Sequence, residues 1–466
     1  MRREALTVSE KLLNELKERL DAKTIHDLRQ VARAVGVPRP ADGKKERILN
    51  CIMDIAAGNF DPVVPSNRGA HPKSNEYDRQ AVADVFRCRE ICLAGEATEE
   101  SNFELSVASG EDFDLFAFTA EGTLYVSGGK WFMNVRGLRD KGITEVFVSN
   151  YFINTLKLRE GDWVKGDCKR ESLDEIAGLS CVLSVNDVAP ESLHDRKEID
   201  KLVPVYPDKK IHLYGENATC RIINLLSPLG EGQRAFVTGA HACGKTSVLR
   251  DIASGLKDYG DIKLIVALID AAPEEAAEFR RIVPEKNVFV SPFEAGSSGH
   301  VATARMALDH AKRQAETHGK AVLIIDDLTR LAKAFNCIGR QVCQPIDPSA
   351  TDSVKSFLAS AKNTEEGISL TVISALSESG DEADEAVYKA LKGVCNMRVA
   401  LSSKIARMRI YPPMDIDNTY AIGDEKLLSD NELKTADALR CYGAEKIVGL
   451  VKDTKDNDEL CKQVLN

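Results

Sequence analysis

The stretch Arg234-Ala-Phe-Val-Thr-Gly-Ala-His-Ala-Cys-Gly-Lys-Thr246 decides the fold of this chain. Apolar residues lead into a loop that contains two glycines, and the helix-forming residues 247–256 follow it. The loop matches the P-loop pattern G-x-x-x-x-G-K-[ST] in the strand–loop–helix context that this motif requires. A chance glycine-rich turn is the alternative, and the context argues against it. The sequence therefore predicts a nucleotide-binding domain.

Each residue type in this loop has a chemical reason. Gly239 and Gly244 let backbone N–H groups turn around a phosphate at the positive end of the following helix. Lys245 is expected to reach the outer phosphates, and Thr246 to offer its hydroxyl to Mg²⁺. Asp326 ends the apolar run 321–326 and is expected to hold the same Mg²⁺ shell. We therefore expect ATP and Mg²⁺ as ligands.

Length and composition limit the class of protein. The chain has 466 residues, of which 43% are hydrophobic and 29% charged, so two to four domains are expected. No apolar run approaches the ~20 residues of a membrane helix, and the first residues lack the apolar core of a signal peptide. We expect a cytoplasmic protein without a membrane segment. The net charge of −10 confines any nucleic-acid contact to local patches.

The twelve cysteines include no C-x-x-C pair, which indicates reduced thiols rather than a disulfide framework or a zinc site. Cys88 and Cys92 stand four residues apart on a predicted helix. Two half-buried thiols are the favoured interpretation, because a metal site would need a matching second pair.

The pattern along the chain predicts a multidomain α+β and α/β protein. Apolar residues at helical spacing begin the chain, five short β runs follow, and longer β runs then alternate with helices around the P-loop. The predicted parts are an N-terminal helical domain (1–57), a linker and acidic insertion (58–115), a small OB/cold-shock-like barrel (116–190), a RecA-like P-loop α/β domain (204–430) and C-terminal helices (431–466).

Two of these parts have a composition that suits nucleic acid. Trp131, Phe132, Arg136 and Phe147 would form a base-stacking face on the barrel, because aromatic rings beside cations suit single strands. Alternatively these rings fill the barrel core, and strand alternation lets either Trp131 or Phe132 point outward, not both. The N-terminal domain has more Lys and Arg than Asp and Glu, which fits a nucleic-acid contact or, more simply, a solvated face.

Several longer motifs surround the P-loop. They are Leu225-Leu-Ser-Pro-Leu-Gly-Glu-Gly-Gln-Arg234, Leu268-Ile-Asp-Ala-Ala-Pro-Glu-Glu275, Ile325-Asp-Asp-Leu-Thr-Arg-Leu-Ala332, Ala361-Lys-Asn-Thr-Glu-Glu-Gly367 and Leu401-Ser-Ser-Lys-Ile-Ala406. With the order of the domains, these motifs resemble the bacterial transcription termination factor Rho family over nearly the whole chain. The resemblance implies a ring-shaped hexamer that binds RNA on its barrels, threads it through the centre and moves by hydrolysing ATP at subunit interfaces.

The resemblance also assigns the nucleotide pocket. Lys245, Thr246 and Asp326 match their counterparts in the family. Thr219 and Tyr411 fall where the family holds the adenine ring, and an aromatic at Tyr411 can stack on a base.

The catalytic positions depart from the family. Ala271 stands where the family has the Glu that activates water, and losing general-base assistance costs ~10²–10⁴-fold in rate. Ile422 stands where the arginine finger is expected, and its loss costs ~10³–10⁵-fold. Glu274, Glu275 or Asp327 could substitute as the base. Asp327 is the best of these because it adjoins the Mg²⁺ ligand, although a supporting polar role for it is favoured.

The expected RNA path is also altered. Glu382 replaces the central-loop lysine within an acidic run, which would repel a phosphate backbone. Arg340 keeps a cation in the second central loop. On the barrel, Asn134 and Leu179 replace two aromatic residues of the family.

Three functions remain open at this level. The favoured hypothesis is a Rho-like nucleotide-binding protein with weak or lost ATPase and translocase activity, acting as a binding or regulatory module. Its candidate partners are further copies of itself, an authentic Rho, RNA polymerase or another protein, with RNA binding uncertain. The alternatives are a working RNA-dependent ATPase/helicase that terminates transcription and a RecA-like ATPase unrelated to RNA. RNA-stimulated hydrolysis distinguishes them.

Overall fold

The computed structural model describes residues 8–35, 37, 44–57, 59, 81, 85, 117–138, 142–170, 175–215, 217–338, 345–378 and 380–465. They belong to two compact units, residues 1–114 and 115–466. The linker and insertion predicted at 58–115 lie almost wholly outside the described residues, as do Cys88, Cys92 and Arg340. In the part of the chain that the structure describes, no helix has the length and apolar character to cross a membrane.

Residues 8–57 of the first unit include the helices α1 (Val8–Asp21), α2 (Ile25–Val35) and α3 (Lys45–Ala56). The N–H of Asp27 donates to Oγ1 of Thr24 at 3.3 Å, so Thr24 caps the start of α2. The apolar faces bury a small core at helical spacing, made of Leu16, Leu20, Leu28, Val31, Ile48, Ile52 and Ile55.

The second unit begins with a closed five-stranded barrel in the order β1-β2-β3-β5-β4. Its strands are β1 (Ala117–Ser127), β2 (Lys130–Val135), β3 (Glu145–Val148), β4 (Trp163–Lys169) and β5 (Gly178–Val185), with α4 (Asn150–Thr155) between β3 and β4. Neighbouring strands are antiparallel except β3 and β5, which run parallel. Alternate residues fill the interior, among them Leu124, Met133, Val135, Val146 and Val148.

A larger sheet follows, with the strand order β14-β13-β7-β12-β10-β8-β9. The strands are β6 (Pro204–Val205), β7 (Arg234–Gly239), β8 (Ile262–Ala271), β9 (Val288–Pro292), β10 (Lys320–Asp326), β11 (Lys362–Thr364), β12 (Ser369–Ser377), β13 (Met397–Ala400) and β14 (Tyr420–Ala421). Strands β13, β7, β12, β10, β8 and β9 are parallel, while β14 and the short β11 and β6 pair antiparallel at the margins.

Helices cover both faces of this sheet, which is why its central strands are continuous apolar runs. They are α5 (Ala218–Leu226), α6 (Lys245–Leu256), α7 (Pro273–Arg280), α8 (Gly296–His318), α9 (Leu328–Cys337), α10 (Pro348–Leu358), α11 (Glu382–Leu391) and α12 (Ser403–Arg407). The carboxyl ends of β7, β8 and β10 lie along one edge, where ligands bind in sheets of this type.

Three C-terminal helices, α13 (Asp430–Arg440), α14 (Ala444–Asp453) and α15 (Asn457–Leu465), pack beside α5. Arg221 of α5 binds the segment that connects α14 to α15. Its guanidinium donates to the carbonyls of Thr454 and Asp456, each at 2.6 Å. The apolar residues of these helices join the same core as the P-loop helix α6.

The barrel is joined to the large sheet by Arg136. Its guanidinium donates to the carbonyl oxygens of Glu285 and Val288 at 2.6 and 2.7 Å and lies 4.5 Å from the ring centre of Phe289. All three partners lie at or beside β9. This placement corrects the assignment of Arg136 to a base-stacking face, because its Nη1 donates to two backbone carbonyls and its guanidinium lies over a ring of the same protein.

His310 of α8 lies in the same interface. Its Nδ1 donates to the carbonyl of Gly161 at 2.9 Å, and its ring packs between Trp163 and Phe289. Beside it, Asp162 forms a buried ion pair with Arg196. The interface is therefore both polar and aromatic.

The thiol state agrees only in part with expectation. Eight described cysteines are free, but Cys337 at the end of α9 is disulfide-bonded, which contradicts the expectation of reduced thiols there.

Titration of His310 is expected to destabilise the fold in mild acid. Burial lowers the pKa of His310 to about 4, well below its ordinary value near 6.5. Between these two pH values the unfolded chain binds the proton and the folded chain does not. Stability is therefore lost as pH falls from about 6.5 towards 4, by up to about 1.4 kcal/mol per pH unit.

Urea unfolding of the wild type and of His310→Gln at pH 7, 6 and 5 measures this effect. Asp309, whose pKa is raised to about 6 by burial, titrates in the opposite sense and is present in both proteins. The difference between the two unfolding free energies should change in favour of the variant as pH falls. A difference that does not vary with pH contradicts the assignment.

Candidate nucleotide site

The P-loop connects the end of β7 to the start of α6. Gly244 precedes the helix with a φ of 89°, a left-handed conformation that favours glycine. The ammonium group of Lys245 donates to the carbonyls of Gly239 and Ala240 at 3.2 Å each. The lysine thus closes the loop on itself, and a bound phosphate would offer it a stronger, charged partner. These geometries suit the phosphate-binding role predicted for the loop.

Two oxygen groups meet where a magnesium ion is expected. The hydroxyl of Thr246 donates to Oδ2 of Asp326 at 2.6 Å. Asp326 ends β10, and its pKa is raised to about 6 by burial and by the nearby charge of Asp327. A cation would remove the cost of ionising this buried carboxyl, and hydroxyl and carboxylate oxygens are ligands that Mg²⁺ accepts. The residues present therefore fit a magnesium ion.

The cleft around these groups is wide and mixed in charge, with a volume of about 690 Å³. Its charged and titratable lining comprises His241, Lys245, Asp270, Glu275, His300, Asp326, Asp327, Arg330, Lys333 and Asp384. The cations can bind phosphates, and the carboxylates can bind a metal ion or accept a proton.

The two positions that depart from the family lie in contrasting places. Ala271 ends β8, is only 2% exposed, and its methyl group belongs to the apolar core. Ile422 follows β14 and is 61% exposed. Neither side chain can accept a proton or stabilise a phosphate charge.

The side chain of Asp327 accepts a backbone hydrogen bond. It caps α9, where its Oδ1 accepts the N–H of Arg330 at 2.7 Å, and burial raises its pKa. Glu275 has a similar role, since its Oε2 accepts the N–H of Ala272 at 3.2 Å. These contacts favour supporting roles for both residues over general-base roles.

Another carboxylate, Asp270, enters the cleft through an irregularity in β8. The register of β8 with β9 shifts between Ile269 and Ala271, and Asp270 has a φ of 54°. Such a bulge redirects a side chain, here towards the cleft. Oδ1 of Asp270 lies 3.9 Å from Nε2 of His300, whose Nδ1 is 2.7 Å from the hydroxyl of Ser291. Sequence reasoning missed this pair, because strand alternation does not reveal a bulge.

The two residues expected to hold the nucleobase both contact a third side chain, which the sequence analysis did not identify. Thr219 and Tyr411 both donate to Oδ2 of Asp251 on α6, at 2.5 and 2.9 Å. Thr219 is buried, whereas Tyr411 is 40% exposed and presents its ring at the surface. No motif marks Asp251, since its partners are distant in sequence.

On the barrel the structure separates the predicted aromatics. Phe132 pairs across the strands with Phe147 and with Tyr125, and each ring-centre separation is 6.0 Å. Trp131 instead pairs with the buried Val148. The outer row on β1, β2 and β3 is therefore Tyr125, Phe132 and Phe147, and it excludes Trp131.

Comparison with known proteins gives consistent matches. The family model "ATP synthase alpha/beta family, nucleotide-binding domain" matches residues 219–421. Transcription termination factor Rho from Borreliella burgdorferi is 33% identical over 342 residues, covering 70% of this chain and 66% of that protein. The Rho of Pseudomonas aeruginosa is 33% identical over 338 residues, covering 68% and 80%. A solved ATPase from the type III secretion system of pathogenic bacteria is 19% identical with a TM-score of 0.47, covering 62% of this chain and 94% of that one.

Replacing Lys245 by Ala is expected to weaken Mg–nucleotide binding at least tenfold, because the site loses a charge-assisted contact to phosphate. Isothermal titration calorimetry with MgATP and MgGTP measures the change. Lys257→Ala, at the exposed end of the same helix, is the matched control and should bind as the wild type does. Equal affinities in all three proteins would contradict the assigned site.

Proposed function

This chain belongs to the transcription termination factor Rho family, and we propose that it binds a Mg–nucleotide while hydrolysis and RNA translocation are weak or lost. It then acts as a binding or regulatory module rather than as a motor. The loop around Lys245 and the Thr246–Asp326 pair support nucleotide binding.

The proposal rests mainly on position 271. A methyl group packed into the core replaces the expected general base there, and this accounts for a loss of ~10²–10⁴-fold in rate. The exposed apolar Ile422 adds the loss expected without an arginine finger, ~10³–10⁵-fold. Asp327 is a weak substitute, since its carboxylate caps a helix.

The start of α11 supports the loss of translocation. Asp381 caps this helix, and Glu382, Asp384 and Glu385 lie in its first turn. Lys333 pairs with Asp381 and Asp384, with its Nζ 3.2 and 2.6 Å from their carboxylates, so the nearby cation is already neutralised. An RNA backbone entering here would meet net negative charge.

The overall charge favours a protein partner. A net charge of −10 is complementary to a basic surface and opposes naked RNA. Further copies of this chain, an authentic Rho and RNA polymerase remain the proposed partners, in the cytoplasm.

One observation favours the alternative, a working RNA-dependent ATPase/helicase that terminates transcription. Asp270 and His300 lie in the same cleft as the P-loop, with 3.9 Å between carboxylate and imidazole. A carboxylate or imidazole in that place could accept the proton of an attacking water. Asp270 would then be the relocated base.

ATP turnover by the full chain, with and without poly-cytidine RNA, decides between the two functions. The Rho of Pseudomonas aeruginosa, assayed in parallel, is the reference. We expect turnover at least about 10²-fold below the reference, no RNA stimulation, and measurable MgATP binding. RNA-stimulated turnover close to the reference overturns the proposal, and its loss in Asp270→Asn would identify the relocated base.

The outer aromatic row supports weak single-strand binding by the barrel. The double variant Phe132→Ala, Phe147→Ala is expected to weaken binding of oligocytidine by more than tenfold at low salt, because stacking contributes ~1–3 kcal/mol per base. Fluorescence anisotropy measures the affinity. Tyr151→Ala removes an exposed aromatic of α4 outside the row and is the control. No detectable binding by the wild type would remove the barrel's proposed role.

A further inference from the structure

A carboxylate lies beside the residues that would hold the base. Asp251 is on α6, the helix whose first residue is Lys245. Six residues of helix separate the two, which is about 9 Å along the axis. That length is comparable to the distance from a β-phosphate to the far edge of a purine. A nucleotide with its phosphates in the P-loop can therefore place its base against Asp251.

The hydrogen bonds at Asp251 occupy the hydroxyl donors beside it. The hydroxyls of Thr219 and Tyr411 both donate to Oδ2, so neither proton is available to a base. Burial, together with the nearby charge of Asp251, raises the pKa of Tyr411, which keeps its proton on the phenol. These three side chains therefore offer a base an acceptor rather than a donor.

The second carboxylate oxygen is free within the described residues. Oδ1 of Asp251 has no hydrogen-bond partner in that part of the chain, and the side chain is half-buried. The neighbouring cation, Arg250, is already paired with Glu278. A carboxylate oxygen has about two lone-pair sites, so Oδ1 can accept two further donors.

The purines differ in what they offer to such an oxygen. Guanine presents two adjacent donors, N1–H and the N2 amino group. Adenine presents one donor, its N6 amino group, and its N1 lone pair would face the negative charge. Hydrogen bonds to an ionised acceptor are strong, and a base without the matching donor leaves the acceptor unpaired. The exposed ring of Tyr411 can stack on either base and does not discriminate.

We propose that Asp251 makes this a guanine-selective nucleotide site, with N1–H and the N2 amino group of the base donating to Oδ1. The inference rests on the proposed function, since it concerns the base end of the same nucleotide site. Selectivity resides in one side chain of the P-loop helix, while the phosphate contacts are common to all nucleotides.

Equilibrium binding of GTP, ITP and ATP, each with Mg²⁺, tests the proposal on the full chain. GTP is expected to bind at least tenfold more tightly than ATP. ITP, which keeps N1–H and lacks the N2 amino group, should fall between them. In Asp251→Asn the amide can still accept from Thr219 and Tyr411, but it loses the charge and adds a competing donor, so the preference for GTP should collapse to within about threefold.

Two controls isolate the effect. Asp258→Asn, an exposed carboxylate just beyond α6, should leave the preference unchanged. Thermal unfolding of every variant confirms folding. Equal GTP and ATP affinities in the wild type, or a preference that survives in Asp251→Asn, would overturn the inference and leave nucleotide binding intact. Absence of binding by all three nucleotides would instead overturn the proposed function.

Discussion

The parallel pairing of β10 with β8 and β12 determines where the functional groups of the site can lie. Because the strands run in one direction, their carboxyl ends form a single edge, and the P-loop after β7 lies along it. Both faces of the sheet are covered by helices, so the strands must be apolar until they reach that edge. The carboxylates of Asp270 and Asp326 stand where β8 and β10 end.

Under the proposed function, this constraint explains how a binding site would persist without its catalytic groups. The contacts of Lys245, Thr246 and Asp326 depend on backbone geometry that the sheet itself requires. The P-loop geometry does not depend on the side chains at 271 and 422. Ala271 fills a small space in the core, and Ile422 faces the surface. Under the proposed function, a loss of catalytic chemistry at these positions would leave packing intact, and the nucleotide site would be retained with the fold.

Local patterns predicted those parts of the site that depend on local structure. The P-loop motif and the apolar run ending at Asp326 lie on β7, α6 and β10, as their strand and helix signals indicate. Arg136, Asp251 and Asp270 could not be placed in this way. The partners of Arg136 and Asp251 are distant in sequence, and Asp270 depends on a one-residue shift of register. A cation beside aromatic rings has the same sequence pattern whether it faces RNA or, as Arg136 does, another β-strand.

The interface around Arg136 has a mechanical consequence. Arg136 ties β2 of the barrel to the backbone at β9, and His310 ties the β4 side of the barrel to α8. Strand β9 is the direct neighbour of β8, whose last residues border the cleft. A force applied to the barrel is therefore transmitted through β9 and β8 to the bulge at Asp270, without passing through a flexible linker. Displacement of the barrel is therefore mechanically coupled to the edge of the nucleotide site.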